Sequence, residues 1–181
     1  MSDVVGLVLA AGAGRRFGGP KALARDASGR PWLQLAHDAL AEGGCPHVTV
    51  VLGAGAEEAR SLVPDGARVV VAPDWQRGQS ASLAVGLRAL PPAAAVAVTL
   101  VDLPGQRAEA VARVVRGAST ASLRRAVFAG RPGHPVLLGR DHWSALLDVL
   151  AGDEGARPYL RVHDVTAVDC TDLGGGQDVD R

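Results

Sequence analysis

The residues best able to do chemistry fall together early in the chain. Leu9-Ala10-Ala11-Gly12-Ala13-Gly14-Arg15-Arg16-Phe17-Gly18-Gly19-Pro20-Lys21 combines glycines, small side chains, two arginines and a lysine. Glycine lets backbone N–H groups approach a ligand closely. The added positive charge completes what a phosphate-binding loop needs. Lys21 is the only lysine in a chain whose Lys and Arg total 19. A lysine kept where arginine is otherwise used suits a site that needs a compact ammonium, not a planar fork. Two common loops do not fit. A Walker A loop beginning at Gly14 reaches Gly19 but then meets Pro20, and Ala22 follows Lys21 where Ser or Thr is required. A dinucleotide fingerprint begins at Gly12 and Gly14 but ends on Phe17, and Gly53-Ala54-Gly55 follows Leu52 where an acid should hold a ribose. The plainer alternative is a glycine-rich turn with its arginines in solvent.

Further candidates lie downstream. Asp102 follows an apolar run and precedes Pro104, so it is either a magnesium ligand or a turn residue. Asp178 and Asp180 alternate as on a strand, which would turn one toward a site and the other away; Asp180 is preferred, and the alternative is a solvated acidic tail. Ser80 and Ser82 open a helical stretch and could cap it. His134 stands between Gly133 and Pro135, with no metal-ligand spacing to His37, His47, His142 or His163. Asp153 and Arg157 are four apart, as in a helical ion pair. Trp75 and Trp143 read as packing residues, and Arg16 as a surface residue.

The elements that must position these residues follow from periodicity. Val4–Ala10 is a continuous apolar run, as expected of a strand covered on both faces. Strands are predicted at His47–Leu52, Arg68–Ala72, Ala95–Val101, Arg124–Ala129, Pro135–Leu138 and Val165–Asp169. Helices are predicted at Trp32–Ala41, Ala56–Leu62, Ser80–Leu90, Arg107–Arg116 and Asp141–Leu150, with a short one near Tyr159. Alternation of strands and helices gives an α/β fold on a mostly parallel sheet. Ligands then bind outside the carboxyl ends of the strands.

Composition removes other classes. The chain has 181 residues, 48% hydrophobic and 21% charged, which suits one globular domain over 1–181. Lys plus Arg equals Asp plus Glu at 19, so no basic face for nucleic acid or anionic membrane is expected. Aromatic residues are 3%, which argues against base-stacking platforms. The uncharged runs Val4 to Gly14 and Leu90 to Val101 are too short to span a bilayer. Met1-Ser2-Asp3 offers no basic leader region. Two cysteines are too few for a disulfide framework. The expectation is a cytoplasmic protein.

The first loop resembles the signature of the MobA-like nucleotidyltransferases, L-A-A/G-G-x-G/S-x-R-F/M-G-x-x-K. Its Ala11 form is similar to the molybdenum cofactor cytidylyltransferases; the guanylyltransferases usually carry a second glycine there. Trp75–Leu83 resembles that branch's W-x-x-G-x-x-x-S stretch, Val101-Asp102-Leu103-Pro104 its D-x-P motif, Gly133–Leu137 its G-H-P-V-L, and Gly152–Arg157 its G-D-x-G-A-R. The family's closing motif, D-x-D-T-P-E-D-L, is entered at Asp178-Val179-Asp180, and Arg181 ends the sequence inside it, which leads us to expect weaker support at the metal end.

The resemblance implies a three-layer Rossmann-like nucleotidyltransferase fold with a mostly parallel, mixed sheet. It implies transfer of a nucleoside monophosphate, CMP from CTP, to a phosphorylated small molecule, molybdopterin, with pyrophosphate released and hand-over to a molybdoenzyme. Lys21, Arg15 and Asp102 would be catalytic. Leu9, Ala10, Ala11, Gly12, Gly14, Ser80 and Ser82 would join Lys21 and Arg15 on the nucleotide. Asp102 with Asp180 or Asp178 would hold Mg²⁺, and His134 and Arg157 would border the acceptor. Three alternatives remain: another phosphorylated acceptor such as a sugar phosphate, a nicotinamide-dependent reductase, and a non-catalytic nucleotide-binding accessory protein.

Overall fold

The computed structural model describes residues 4–179. Val4–Ala10 (β1) is buried along its whole length. Its side chains alternate between two cores, with Val4, Val8 and Ala10 in one and Val5, Leu7 and Leu9 in the other. Val48–Leu52 (β2) and Arg68–Val71 (β3) continue the sheet on one side, and Ala95–Leu100 (β4) on the other, all parallel.

Beyond β4 the direction changes. Leu123–Phe128 (β5), Arg131–Gly139 (β6) and Thr166–Asp169 (β7) complete a seven-stranded sheet of order β3-β2-β1-β4-β6-β5-β7. β6 is antiparallel to both its neighbours, and β7 lies parallel to β5 at the edge.

Helices cover both faces. Trp32–Glu42 (α1) packs with Ala108–Val115 (α4) over one core through Leu33, Leu40, Val111 and Val114, and Ala56–Ala59 (α2) adds Ala59. Gln79–Ala89 (α3), Trp143–Val149 (α5) and Arg157–Arg161 (α6) cover the other through Leu83, Leu87, Leu146, Tyr159 and Leu160. The result is a three-layer α/β fold with a mixed sheet.

The predicted helix over 56–62 divides into α2 and a 3-10 turn, Arg60–Leu62. The one over 141–150 begins as a 3-10 turn, Arg140–His142. The larger difference is β6, which begins at Arg131 and not at Pro135. Arg125 of β5 pairs with Val136 and Val127 with Pro132, so Ala126 faces a three-residue irregularity, Gly133–Pro135. A proline there removes no regular ladder bond. The β4–β6 ladder ends at Val98 opposite Val136.

Candidate active site

β1 and β4 are neighbours, with Leu9 opposite Leu100, and the Val101 amide donates to the Leu9 carbonyl at 3.1 Å. The loop after β1 and the turn after β4 therefore leave the sheet together at the carboxyl ends. Between them lies a cavity of about 440 Å³, walled by residues 9–16, Lys21, Asp102 and the Trp75–Gln79 segment.

Gly14 shapes the loop. Its φ of +58° suits a residue without Cβ. Its carbonyl accepts from the amides of Phe17, Gly18 and Gly19 at 2.9, 3.0 and 3.1 Å. A Cβ on Gly14 would stand 1.8 Å from the Gly19 oxygen. The turn closes on itself, and among the described residues no backbone amide from Gly12 to Arg16 donates to a backbone carbonyl. Such open donors beside cationic side chains favour a phosphate.

Lys21 opens the 3-10 turn Lys21–Leu23. Its Nζ donates to Oδ2 of Asp102 at 3.1 Å, the two side chains being 13% and 21% exposed. The Phe17 ring lies 6.0 Å from that ammonium and packs on Trp32 at 5.2 Å between ring centroids. Asp102 Oδ1 is buried and has no hydrogen-bond partner among the described residues. A carboxylate oxygen left so, lining a cavity, fits a cation that shares its ligands with phosphate oxygens.

The chain matches the MobA-like NTP transferase domain over residues 6–168. It belongs to that family. A curated protein, nicotine blue oxidoreductase of Paenarthrobacter nicotinovorans, is 35% identical over 190 residues, covering 98% of this chain and 92% of that one. Rv0371c of Mycobacterium tuberculosis superposes with a TM-score of 0.82 at 27% identity, over 99% of this chain and 93% of that one. Its manganese complex gives 0.76 at 26%, over 92% and 87%. A nucleotidyl transferase of Methanothermobacter shares the fold, with a TM-score of 0.81 at 22% identity over 98% and 91%.

In this MobA-like domain the sequence-predicted residues divide into two groups. Leu9, Ala10, Ala11, Gly12, Gly14, Arg15, Lys21, Ser82 and Asp102 all line the first cavity. Ser80 does not: its hydroxyl donates to the Ala151 carbonyl at 2.9 Å. Neither serine caps α3, whose N-cap is Gly78 without a side-chain bond. Asp178 is exposed, next to Val179, whose amide donates to the Asp102 carbonyl at 3.0 Å. Asp180 lies outside the described residues. Among the described residues no group of three or more His, Cys, Asp or Glu side chains could hold a metal.

Three residues set aside in the sequence line the first cavity: Arg16, Trp75 and Asp153. For Arg16 the signal was present, because the signature's arginine falls on it and not on Arg15. The expected Asp153–Arg157 ion pair is absent, since residues 151–156 form a loop and α6 begins only at Arg157. Arg157 instead lines a second cavity of about 90 Å³ with His134 and Arg125. The two cavities share Leu9, Gln79 and Leu100. Burial, then the charges of Arg125 and Arg157, lower the His134 pKa from 6.5 to about 4, so its ring is neutral at pH 7.

Proposed function

We propose that this protein transfers a nucleoside monophosphate from a nucleoside triphosphate, CTP before GTP, to a phosphorylated small molecule and releases pyrophosphate. Molybdopterin is the acceptor that the sequence resemblance implies, with a cytoplasmic setting and a molybdoenzyme as recipient. The observation that carries the reading is the Lys21–Asp102 pair, 3.1 Å apart, beside a cavity walled by the open amides of the first loop.

In this reading the loop amides and Lys21 hold the β- and γ-phosphates, with Arg15 or Arg16 adding charge. Asp102 would hold a divalent cation, Mg²⁺ or Mn²⁺, which when bound neutralises phosphate charge. An oxygen of the acceptor phosphate attacks the α-phosphorus. The bond from that phosphorus to the bridging oxygen breaks, and its electron pair leaves on pyrophosphate. The attacking oxygen is already anionic, so no proton need move and no general base is required. Catalysis is then positioning and charge neutralisation. The Ala11 side chain, buried beside Gly53, takes room that a glycine would leave for a purine.

A second reading, a redox enzyme using a nicotinamide nucleotide in the same cavity, is supported by the 35% identical oxidoreductase. Against it, a Cβ at Gly53 would meet the Ala11 oxygen at 2.5 Å and Trp75 Cβ at 2.7 Å, so the acid expected after β2 has no room there.

Thermal unfolding with CTP, GTP or NADPH, each with and without Mg²⁺ or Mn²⁺, separates these readings. A ligand at 100 times its Kd adds about 2.7 kcal/mol. For a chain of this size that raises the midpoint by roughly 5–10 °C. CTP with metal should give the largest rise. A larger rise with GTP removes the cytidylyl assignment, and a metal-independent rise confined to NADPH removes the transferase.

A further inference from the structure

The second cavity has a charge that the nucleotide chemistry above does not use. Arg125 on β5 lines it, with Nε buried and no hydrogen-bond partner among the described residues. Arg157, at the start of α6, is exposed and lines the same cavity. Neither guanidinium has an acidic partner within ion-pair distance among the described residues. One carboxylate, Glu154, also lines the cavity, but its Oε1 accepts from Arg161 at 2.9 Å. His134, inside the Gly133–Pro135 irregularity, adds a neutral ring.

Burying part of an unpaired guanidinium beside a second one is unfavourable in the free protein, because Arg125 loses water at its Nε and the two charges repel. Binding an anion would relieve both costs. Arginine's fork matches two oxygens of a phosphate, which a lone ammonium does not. The cavity, about 90 Å³ against about 440 Å³, is sized for a small group and not for a nucleotide. Because the cavities share Leu9, Gln79 and Leu100, a group held there borders a nucleotide in the first.

We infer that the second cavity binds a phosphate monoester, with Arg125 as its inner ligand and Arg157 at its mouth. The identification of that monoester with the acceptor rests on the transferase reading above; the anion site itself does not. Arg125 is then a specificity-determining residue that no sequence motif marks.

Phosphorus NMR titrations with phenyl phosphate and with inorganic phosphate test this on the wild-type chain, Arg125→Met and Arg125→Lys. The CTP and metal unfolding shift is recorded for each. Wild type should bind phenyl phosphate more tightly than inorganic phosphate. Arg125→Met should weaken phenyl phosphate roughly ten- to a hundredfold, Arg125→Lys should recover part of that loss, and the CTP shift should stay unchanged. Equal binding by wild type and Arg125→Met overturns the site, and equal affinity for the two probes overturns the monoester. If Arg125→Met does not fold, Arg157→Met decides on the same criterion. Phenyl phosphate binding without any CTP or GTP shift removes the transferase reading and leaves this site standing.

Discussion

The two cavities border the same strand end and are built in opposite ways. In the first, the Lys21 ammonium and the Asp102 carboxylate face each other at 3.1 Å, a pair already matched in charge before any ligand arrives, with Arg15, Arg16 and Asp153 around it. In the second, two arginines without an acidic partner among the described residues stand beside a neutral histidine, and the one carboxylate there, Glu154, is held by Arg161. The contrast teaches which partner each awaits. A balanced pair can divide its attention, Lys21 taking phosphate oxygens while Asp102 takes the cation that accompanies them. An unbalanced pair can take only an anion. The architecture differs in step, since the first cavity is made by loops at the ends of parallel strands and the second by an irregularity in an antiparallel pair.

Breaking the Lys21–Asp102 pair of the first cavity should have the largest effect. Asp102→Asn keeps the shape and removes the charge. Loss of one well-placed electrostatic group typically costs about 10²–10³ in rate, so pyrophosphate release should fall by that order, and the metal-dependent part of CTP stabilisation should vanish. Lys21→Ala should lose a comparable factor, with Lys21→Arg recovering only part, since a fork does not replace a point charge. Wild-type release by both Asp102→Asn and Lys21→Ala would make the pair structural, and the accessory-protein reading would take over.

The same contrast explains what the sequence made legible. The first cavity is written in contiguous residues. Val4–Ala10 is the strand as read, the glycine loop follows at once, and Asp102 closes the apolar run of β4. Position along the chain and position in space nearly coincide there. The second cavity joins Arg125, His134 and Arg157 from three elements, and only the last two carry motif residues. Arg125 is the second of two adjacent arginines in β5 and looks like any polar strand residue, and Pro132 and Pro135 hid the first half of β6. Asp153 was misjudged for a related reason: an i, i+4 spacing has meaning only on a helix, and residues 151–156 are not helical. The C-terminal approach to Asp102 was also hidden. It rests on the Val179 amide donating to the Asp102 carbonyl at 3.0 Å, a pairing across distant segments that no local pattern announces.

The seam between the cavities offers an intermediate effect. Gly78 has φ +102° and ψ −177°, a region nearly closed to other residues. A Cβ there would stand 2.0 Å from Oδ1 of Asp153 and 2.7 Å from the Gly152 carbonyl. The Ser80 amide is bonded to that same Gly152 carbonyl at 3.1 Å. Gly78→Ala must therefore strain its own backbone and push away the loop that both cavities share. Strain of this kind costs about 1–3 kcal/mol, so calorimetry should find the midpoint lower by roughly 2–12 °C. CTP and phenyl phosphate should both bind more weakly. A variant that loses only one ligand would show that the cavities are mechanically independent.

The most local effect is a proton. Burial and the two arginines hold His134 near pKa 4 where its ordinary value is 6.5. Between those values the unfolded chain binds a proton that the folded chain refuses, so stability rises with pH through this window. The contribution of the neutral ring is complete above about pH 7, and it declines as pH falls from 6.5 toward about 4. Denaturant unfolding at a series of pH values, compared with His134→Gln, isolates that slope. Imidazole NMR reads the site directly. Arg125→Met and Arg157→Met should each move the His134 midpoint upward, because each removes a charge that opposes protonation. Bound phenyl phosphate should move it upward too, since an anion offsets the same charges. A midpoint that neither substitution moves would mean that the guanidiniums do not face the ring, and the contrast between paired and unpaired charges would fail with it.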